Sequence, residues 1–82
     1  NPITKLDFSL PYEVDVSIVI YDLLGREVAS LLSGNMDAGF HSVIWDASSY
    51  SSGLYFVKMT AVDPSSSSGY NYIHTQKLML VK

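Results

Sequence analysis

The stretch from Ile18 to Val28 constrains the fold of this chain more than any other. It continues a pattern that begins at Val14, in which apolar side chains alternate with polar or mixed ones as far as Tyr21. This period of two is typical of a half-buried β-strand and does not fit a helix, whose faces repeat about every 3.6 residues. The stretch contains no catalytic motif. It therefore predicts a strand in a binding or structural module.

The four residues after this strand, Asp22 to Gly25, have the composition of a tight turn. Aspartate at the first position can accept hydrogen bonds from the backbone ahead of it. Glycine at the fourth can take the left-handed conformation that closes a type I turn with a bulge. Such a turn pairs Asp22 with Arg26 and therefore Ile20 with Val28, so both apolar side chains share one face. We predict a β-hairpin here, with Asp22, Gly25 and Arg26 as its structural motif.

Composition indicates one small globular domain. Because the chain has 82 residues, it cannot build two cores, and its hydrophobic fraction of 48% is that of a folded protein. It contains no cysteine, so neither disulfides nor a cysteine-ligated metal can support the core. A net charge of −3 without a cluster of Lys or Arg argues against nucleic acid as a partner.

Other features concern location. No stretch approaches the roughly 20 apolar residues of a membrane-spanning helix, so neither a transmembrane segment nor an N-terminal signal peptide is expected within these residues. Charged residues make up only 16%, while 13 serines and six tyrosines supply neutral polar groups, a surface suited to the outside of the cytoplasm. Because the chain begins abruptly at Asn1-Pro2, we expect it to be a fragment of a larger secreted protein.

Alternating and β-branched segments predict further strands along the chain. The predicted strands are Ile3–Leu10, Val14–Tyr21, Arg26–Leu32, Phe40–Trp45, Leu54–Val62 and Tyr70–Val81. The third also fits one helical face, but the tight turn before it favours a strand. The segments predicted as loops are Ser33–Gly39, Asp46–Ser52 and Asp63–Gly69. Six to seven short strands without a clear helix predict an all-β fold, an immunoglobulin-like antiparallel β-sandwich spanning residues 1–82.

The inward faces of these strands define an expected core. Its members are Leu6, Phe8, Val16, Ile18, Ile20, Val28, Val43, Trp45, Tyr55, Val57, Leu78 and Leu80. The sheet edges are expected to be protected only by Lys5, Lys58 and Lys77. An edge strand can therefore pair with a partner or with a second copy of the chain.

No group of residues indicates a catalytic or cofactor site. His41 and His74 lack a second ligand at metal spacing, which favours ordinary imidazoles at or near the surface, and no Gly-x-Ser-x-Gly motif is present. Two alternatives remain open. Loop aspartates can bind calcium, although they also cap turns, and they are Asp22, Asp37, Asp46 and Asp63. Aromatic side chains can stack on sugars, although core packing explains most of them, and they are Tyr12, Trp45, Tyr50, Tyr55, Tyr70 and Tyr72.

Five blocks in a fixed order resemble a known family. They are Asn1–Pro11, Ile20–Val28, Ala38–Asp46, Ser52–Phe56 and Gln76–Lys82. Together they resemble the type A C-terminal sorting domain of the type IX secretion system of Bacteroidota and related phyla. The pattern is also similar to the immunoglobulin-like domain of flagellar hook-capping proteins. The resemblance adds Gly39, Trp45, Asp46, Gly53 and Tyr55 to the structural motif.

Two departures from the family pattern matter. The usual Tyr-Pro-Asn-Pro lead is missing, which fits a chain cut from a larger protein. The loop after Asp46 is shorter than in many relatives, which weakens a metal-binding role for that residue.

The resemblance implies a sorting signal that is recognised and is not catalytic. Such domains reach the periplasm behind a separate N-terminal signal and direct their upstream cargo through the outer membrane, to the cell surface or the medium. Outer-membrane proteins of the secretion system are the implied partners, and a sortase-like peptidase commonly removes the domain. The segment expected to carry recognition, by strand addition, consists of Lys77, Leu78, Met79, Leu80, Val81 and Lys82. The alternative is an uncleaved structural or assembly module on a secreted enzyme or a surface filament.

Overall fold

A computed structural model describes residues 3–63 and 71–81, and these form two antiparallel sheets without a helix. The strands are β1 (Ile3–Leu10), β2 (Val14–Tyr21), β3 (Glu27–Met36), β4 (Gly39–Asp46), β5 (Gly53–Val62) and β6 (Asn71–Leu80). One sheet has the order β1-β4 and the other the order β3-β2-β5-β6. The sheets pack into a sandwich, which confirms the predicted fold class. This part of the chain contains no helix that is long and apolar enough to cross a membrane.

The first two strands begin and end where the sequence predicts. β1 pairs along its whole length with β4, from Ile3 opposite Asp46 to Leu10 opposite Gly39. β2 lies inside the larger sheet, between β3 and β5. The alternating apolar residues of β2 all face the opposing sheet. As a result, Val14, Val16, Ile18 and Ile20 are at most 2% exposed.

The predicted turn after β2 is present, but the predicted register beyond it is wrong. The Asp22 amide donates a 2.9 Å hydrogen bond to the Arg26 carbonyl, and the left-handed Gly25 has a φ of 83°. Ile20, however, lies opposite Ala29 and not opposite Val28, because a bulge places one extra residue of β3 against β2. Val28 still packs against the core.

β3 is a strand, as the turn before it indicated, but it runs to Met36 and includes four of the seven residues predicted as a loop, Ser33–Gly39. The additional residues continue the ladder with β2. Asn35, for example, lies opposite Asp15, and its side-chain amide donates a 3.1 Å hydrogen bond to the Asp15 carboxylate. Local composition indicated a loop, but cross-strand pairing overrides it. The chain then crosses to the other sheet and enters β4 at Gly39, whose φ of 121° is left-handed.

Smaller differences concern the other strand ends. β4 includes both Gly39 and Asp46, and β5 begins one residue early at Gly53. β6 ends at Leu80, one residue before the predicted end. Most of the predicted Asp63–Gly69 loop, together with Tyr70 and Lys82, lies outside the described residues.

The core lies between the two sheets. Every residue predicted for it is either buried or packed against buried residues. Four further described residues that the prediction omitted are buried: Leu10, Val14, Ala47 and Ala61. Among the described residues, no polar or charged residue is buried. The sandwich is therefore held mainly by apolar burial between its layers.

One predicted edge position is wrong. Lys5 on β1 and Lys77 on β6 do lie on edge strands, but Lys58 lies on β5, which pairs with both β2 and β6. The pairing of β2 with β5 joins strands far apart in sequence, and an alternating pattern does not reveal which strand is central. Lys58 therefore protects no edge. Its side chain instead lies on the exposed face of the larger sheet.

Candidate recognition surface

β6 forms one edge of the larger sheet. It pairs with β5 throughout, from Val62 opposite Asn71 to Gly53 opposite Leu80. On its other side, it pairs with no strand of the described part of the chain. Backbone N–H and C=O groups on that side are available for an added strand.

The predicted recognition segment divides into inward and outward side chains. Leu80 is 4% exposed and Leu78 packs against the core, so both belong to the sandwich. Met79 is 69% exposed, and Lys77 and Val81 are exposed as well. Because side chains alternate along a strand, the segment can hold the core and present a surface at the same time. Lys82 lies outside the described residues.

The turn after β2 is built on the Asp22 carboxylate. One of its oxygens accepts 2.9 Å hydrogen bonds from the amides of Leu24 and Arg26, and the other accepts a 2.9 Å hydrogen bond from the Arg26 guanidinium. The hydrogen bond from the Arg26 amide is the main cause that lowers the pKa of Asp22 below its ordinary value of 3.8, and the Arg26 side chain acts in the same direction. These hydrogen bonds close the turn, and Leu23 and Leu24 are exposed at its tip.

The aromatic residues Trp45, Tyr50 and Tyr55 pack on one another. The Trp45 ring centroid lies 5.3 Å from that of Tyr55 and 5.6 Å from that of Tyr50. The Tyr50 hydroxyl donates to the Val28 carbonyl at 2.9 Å, and the Tyr55 hydroxyl donates to the Ser51 carbonyl at 2.7 Å. These rings close one end of the core, so three residues considered for sugar stacking have a packing role.

Asp46 and Gly53 flank the connection between β4 and β5. The Asp46 carboxylate accepts a 3.0 Å hydrogen bond from the Ser48 amide and so caps the turn that follows it. The connection and the Asp22–Gly25 turn line one shallow cleft of about 490 Å³. Most of the structural motif therefore meets at the end of the sandwich where β6 finishes. Gly39 lies at the opposite end, across from Leu10.

The two histidines have separate environments. His41 stacks on Phe8 with ring centroids 5.5 Å apart, and its Nε2 lies 2.7 Å from the Asp37 carbonyl oxygen. His74 is exposed and stacks on Tyr72. Within residues 3–63 and 71–81, no three His, Asp or Glu side chains come together as metal ligands would.

Sequence reasoning missed the outward face of β5. Leu54 and Phe56 alternate with the buried Tyr55 and Val57, so this strand is apolar on both faces. Such a pattern is a recognisable signal, because a strand that faces solvent on one side normally carries polar residues there. It indicates an apolar surface on the outside of the larger sheet.

Together, the small sandwich, its accessible edge strand and its apolar outer surface define a binding module of the immunoglobulin-like class. The family model described as the secretion system C-terminal sorting domain matches residues 1–70 of the chain. The chain belongs to this family and is a C-terminal sorting signal for type IX secretion. No curated protein and no solved structure shows significant similarity to it.

Membership of the family defines the destination of the protein. A sorting domain of this kind is recognised by the type IX machinery and directs export through the outer membrane, to the cell surface or the medium. A sorting-signal domain of this kind is not catalytic, and the alternative of a structural or assembly module is not favoured. The match ends at residue 70, so β6 lies beyond the matched residues.

Proposed function

We propose that an outer-membrane protein of the secretion system recognises this domain by adding a strand to β6, over the segment Lys77–Lys82. The observation that carries the proposal is that one side of β6 pairs with no strand of residues 3–63 and 71–81, while Leu78 and Leu80 anchor β6 to the core. An anchored strand loses little further conformational freedom when a partner pairs with it, which favours binding. The exposed Met79 and Lys77 then contribute side-chain contacts beside the shared ladder.

This proposal includes the rest of the export route. Residues 1–82 form a single domain at the end of a larger secreted protein, and the cargo lies upstream of it. A sortase-like peptidase removes the domain after passage through the outer membrane. The chain has no enzymatic activity of its own. The packing of Trp45 and the turn-capping contact of Asp46 support a structural role for the motif residues.

Proline substitutions on β6 test the free edge. In an antiparallel pair, successive residues direct their N–H groups alternately toward the partner and away from it. Of Gln76→Pro and Lys77→Pro, one therefore removes a hydrogen bond to β5 and the other removes only a free edge donor. The variant that melts close to the parent is the edge variant, and Lys77→Ala controls for loss of the charge.

The readout is a reporter cargo fused upstream of residues 1–82 in a bacterium with type IX secretion. We expect the folded edge variant to leave the cargo in the periplasm, while the parent delivers it to the medium. Normal export of that variant would contradict recognition through β6. If the parent forms concentration-dependent dimers and the edge-proline variant does not, the edge of β6 serves self-association instead.

A further inference from the structure

The outer face of the larger sheet carries an apolar patch near the end where β6 finishes. Strand register places Tyr21 beside Phe56, and Leu54 beside Met79, on this face. Directly paired residues have Cβ atoms about 5 Å apart, and strands are spaced by about 4.8 Å, so the patch extends roughly 10 Å from β2 to β6. With Val19 these residues form what we call the outer patch: Val19, Tyr21, Leu54, Phe56 and Met79.

The outer patch has no role in the core. None of its members is buried or belongs to the apolar residues packed against the core. Further along the same face, Ser17 lies opposite both Ser33 and Thr60, and Lys58 lies opposite Thr75. These polar side chains separate the outer patch from the exposed Val62 and Ile73 at the other end of the face. A contiguous apolar surface beside polar neighbours is typical of an interaction site.

Two lysines border the patch. Lys58 lies beside Val19, and Lys77 lies beside Phe56. The other two cations of the described residues are already paired, Lys5 with Asp7 and Arg26 with Asp22. Within this part of the chain, neither Lys58 nor Lys77 has an acidic partner, and the nearest acid by register is Glu27, at the far side of Tyr21. In a chain of net charge −3, this face is locally cationic.

We infer that the outer patch is a second docking site, which takes a protein surface with exposed apolar side chains bordered by carboxylates. The charges favour this occupant, because Lys58 and Lys77 gain partners only from an acidic surface. The aromatic rings of Tyr21 and Phe56 supply the kind of contact that dominates binding energy at protein interfaces. The inference rests on the proposed export function, since the partner belongs to the secretion machinery. It does not depend on the β6 edge.

The test uses side chains that do not touch that edge. Phe56→Ser and Lys58→Glu alter the outer patch on the central strand β5, and Lys58→Arg conserves the charge. Ile73→Ser is the matched control, because Ile73 is 61% exposed on the same outward face of the sheet, away from the patch. We expect Phe56→Ser and Lys58→Glu to reduce the exported fraction of a fused reporter cargo at least fivefold. Lys58→Arg and Ile73→Ser should stay within twofold of the parent.

Melting of each purified chain separates loss of recognition from loss of folding. If Phe56→Ser unfolds at the growth temperature, Lys58→Glu decides the test, because Lys58 is exposed and outside the core. Normal export of folded Phe56→Ser and Lys58→Glu would overturn the inference while leaving strand addition at β6 intact. If Phe56→Ser and Lys58→Glu reduce export while the edge-proline variant exports its cargo normally, the result would support docking at the outer patch and contradict strand addition at β6.

Two further measurements exclude other occupants. If the parent binds phosphatidylglycerol vesicles and Lys58→Glu abolishes that binding, the occupant of the outer patch is an anionic membrane, and the inference of a protein partner is overturned. If the parent forms a concentration-dependent dimer in sedimentation and Phe56→Ser abolishes the dimer, the occupant is a second copy of this chain, and the inferred partner is again overturned. Failure of the parent to bind vesicles, with a monomer at all concentrations, supports the acidic protein surface.

Discussion

Leu80 lies directly opposite Gly53 in the ladder that joins β6 to β5, and it is 4% exposed although it is almost the last residue of the chain. The strand expected to carry recognition therefore also completes the core. Because Gly53 has no side chain, Leu80 meets no neighbouring side chain at its paired position on β5. Any experiment that shortens the chain at this end consequently removes a core residue along with the exposed edge.

The first prediction concerns this dual role. Leu80→Ala should destabilise the fold by about 2–5 kcal/mol, since it removes a buried leucine and leaves a cavity. Met79→Ala, at the exposed neighbouring position, should change stability by less than about 0.5 kcal/mol. Urea denaturation of both variants measures the difference. Equal stabilities would mean that the end of β6 is not anchored.

The second prediction concerns Trp45, which is 3% exposed between the rings of Tyr50 and Tyr55. Trp45→Ala should cost about 3–5 kcal/mol, comparable with the whole stability of a small domain. Ile44→Ala is the control, because Ile44 precedes it on β4 and faces outward. Thermal melting checks both variants. A Trp45→Ala protein that melts within a few degrees of the parent would contradict the packing described for this residue.

The third prediction concerns Gly25. A Cβ atom at this position would contact nothing within 4 Å, so the cost of substitution comes from the backbone φ of 83° and not from a clash. Gly25→Val should destabilise by at least about 1 kcal/mol, because a β-branched residue is strained in the left-handed region. Gly25→Asn should cost less, since asparagine tolerates that region. Equal effects in denaturation experiments would rule out backbone strain as the cause.

The fourth prediction concerns pH. The pKa of Asp22 is lowered in the folded state, chiefly by the Arg26 amide, so the unfolded chain binds more protons in acid than the folded one does. The stability that this carboxylate contributes is therefore complete above its ordinary pKa of 3.8 and is lost as the pH falls through the lower folded value. This contribution is measured by comparing the free energies of unfolding of the parent and of Asp22→Asn between about pH 2 and pH 6. The stability difference between them should shrink below pH 3.8. A stability difference between the two proteins that does not change with pH would contradict the lowered pKa of Asp22.

Features with a local physical cause could be predicted from the sequence. Alternation along residues 14–21 determined a strand with one apolar face, because side chains of a strand point to opposite sides in turn. The turn at Asp22 could be predicted because its hydrogen bonds connect residues at most four apart. Trp45 could be assigned to the core from its size and its inward position. The ordered blocks were sufficient to indicate the family, which the match over residues 1–70 confirms.

Only the tertiary structure decided which strands distant in sequence are neighbours, because backbone hydrogen bonds between strands form in the same way whatever side chains the paired residues carry. The pairing of β2 with β5 moved Lys58 from an expected edge to a sheet interior. The bulge opposite Ile20 and the extension of β3 through Met36 depend on contacts with β2 that local composition does not encode. The outer patch has the same origin. Tyr21, Phe56 and Met79 are distant in sequence and form one surface only because their strands lie side by side.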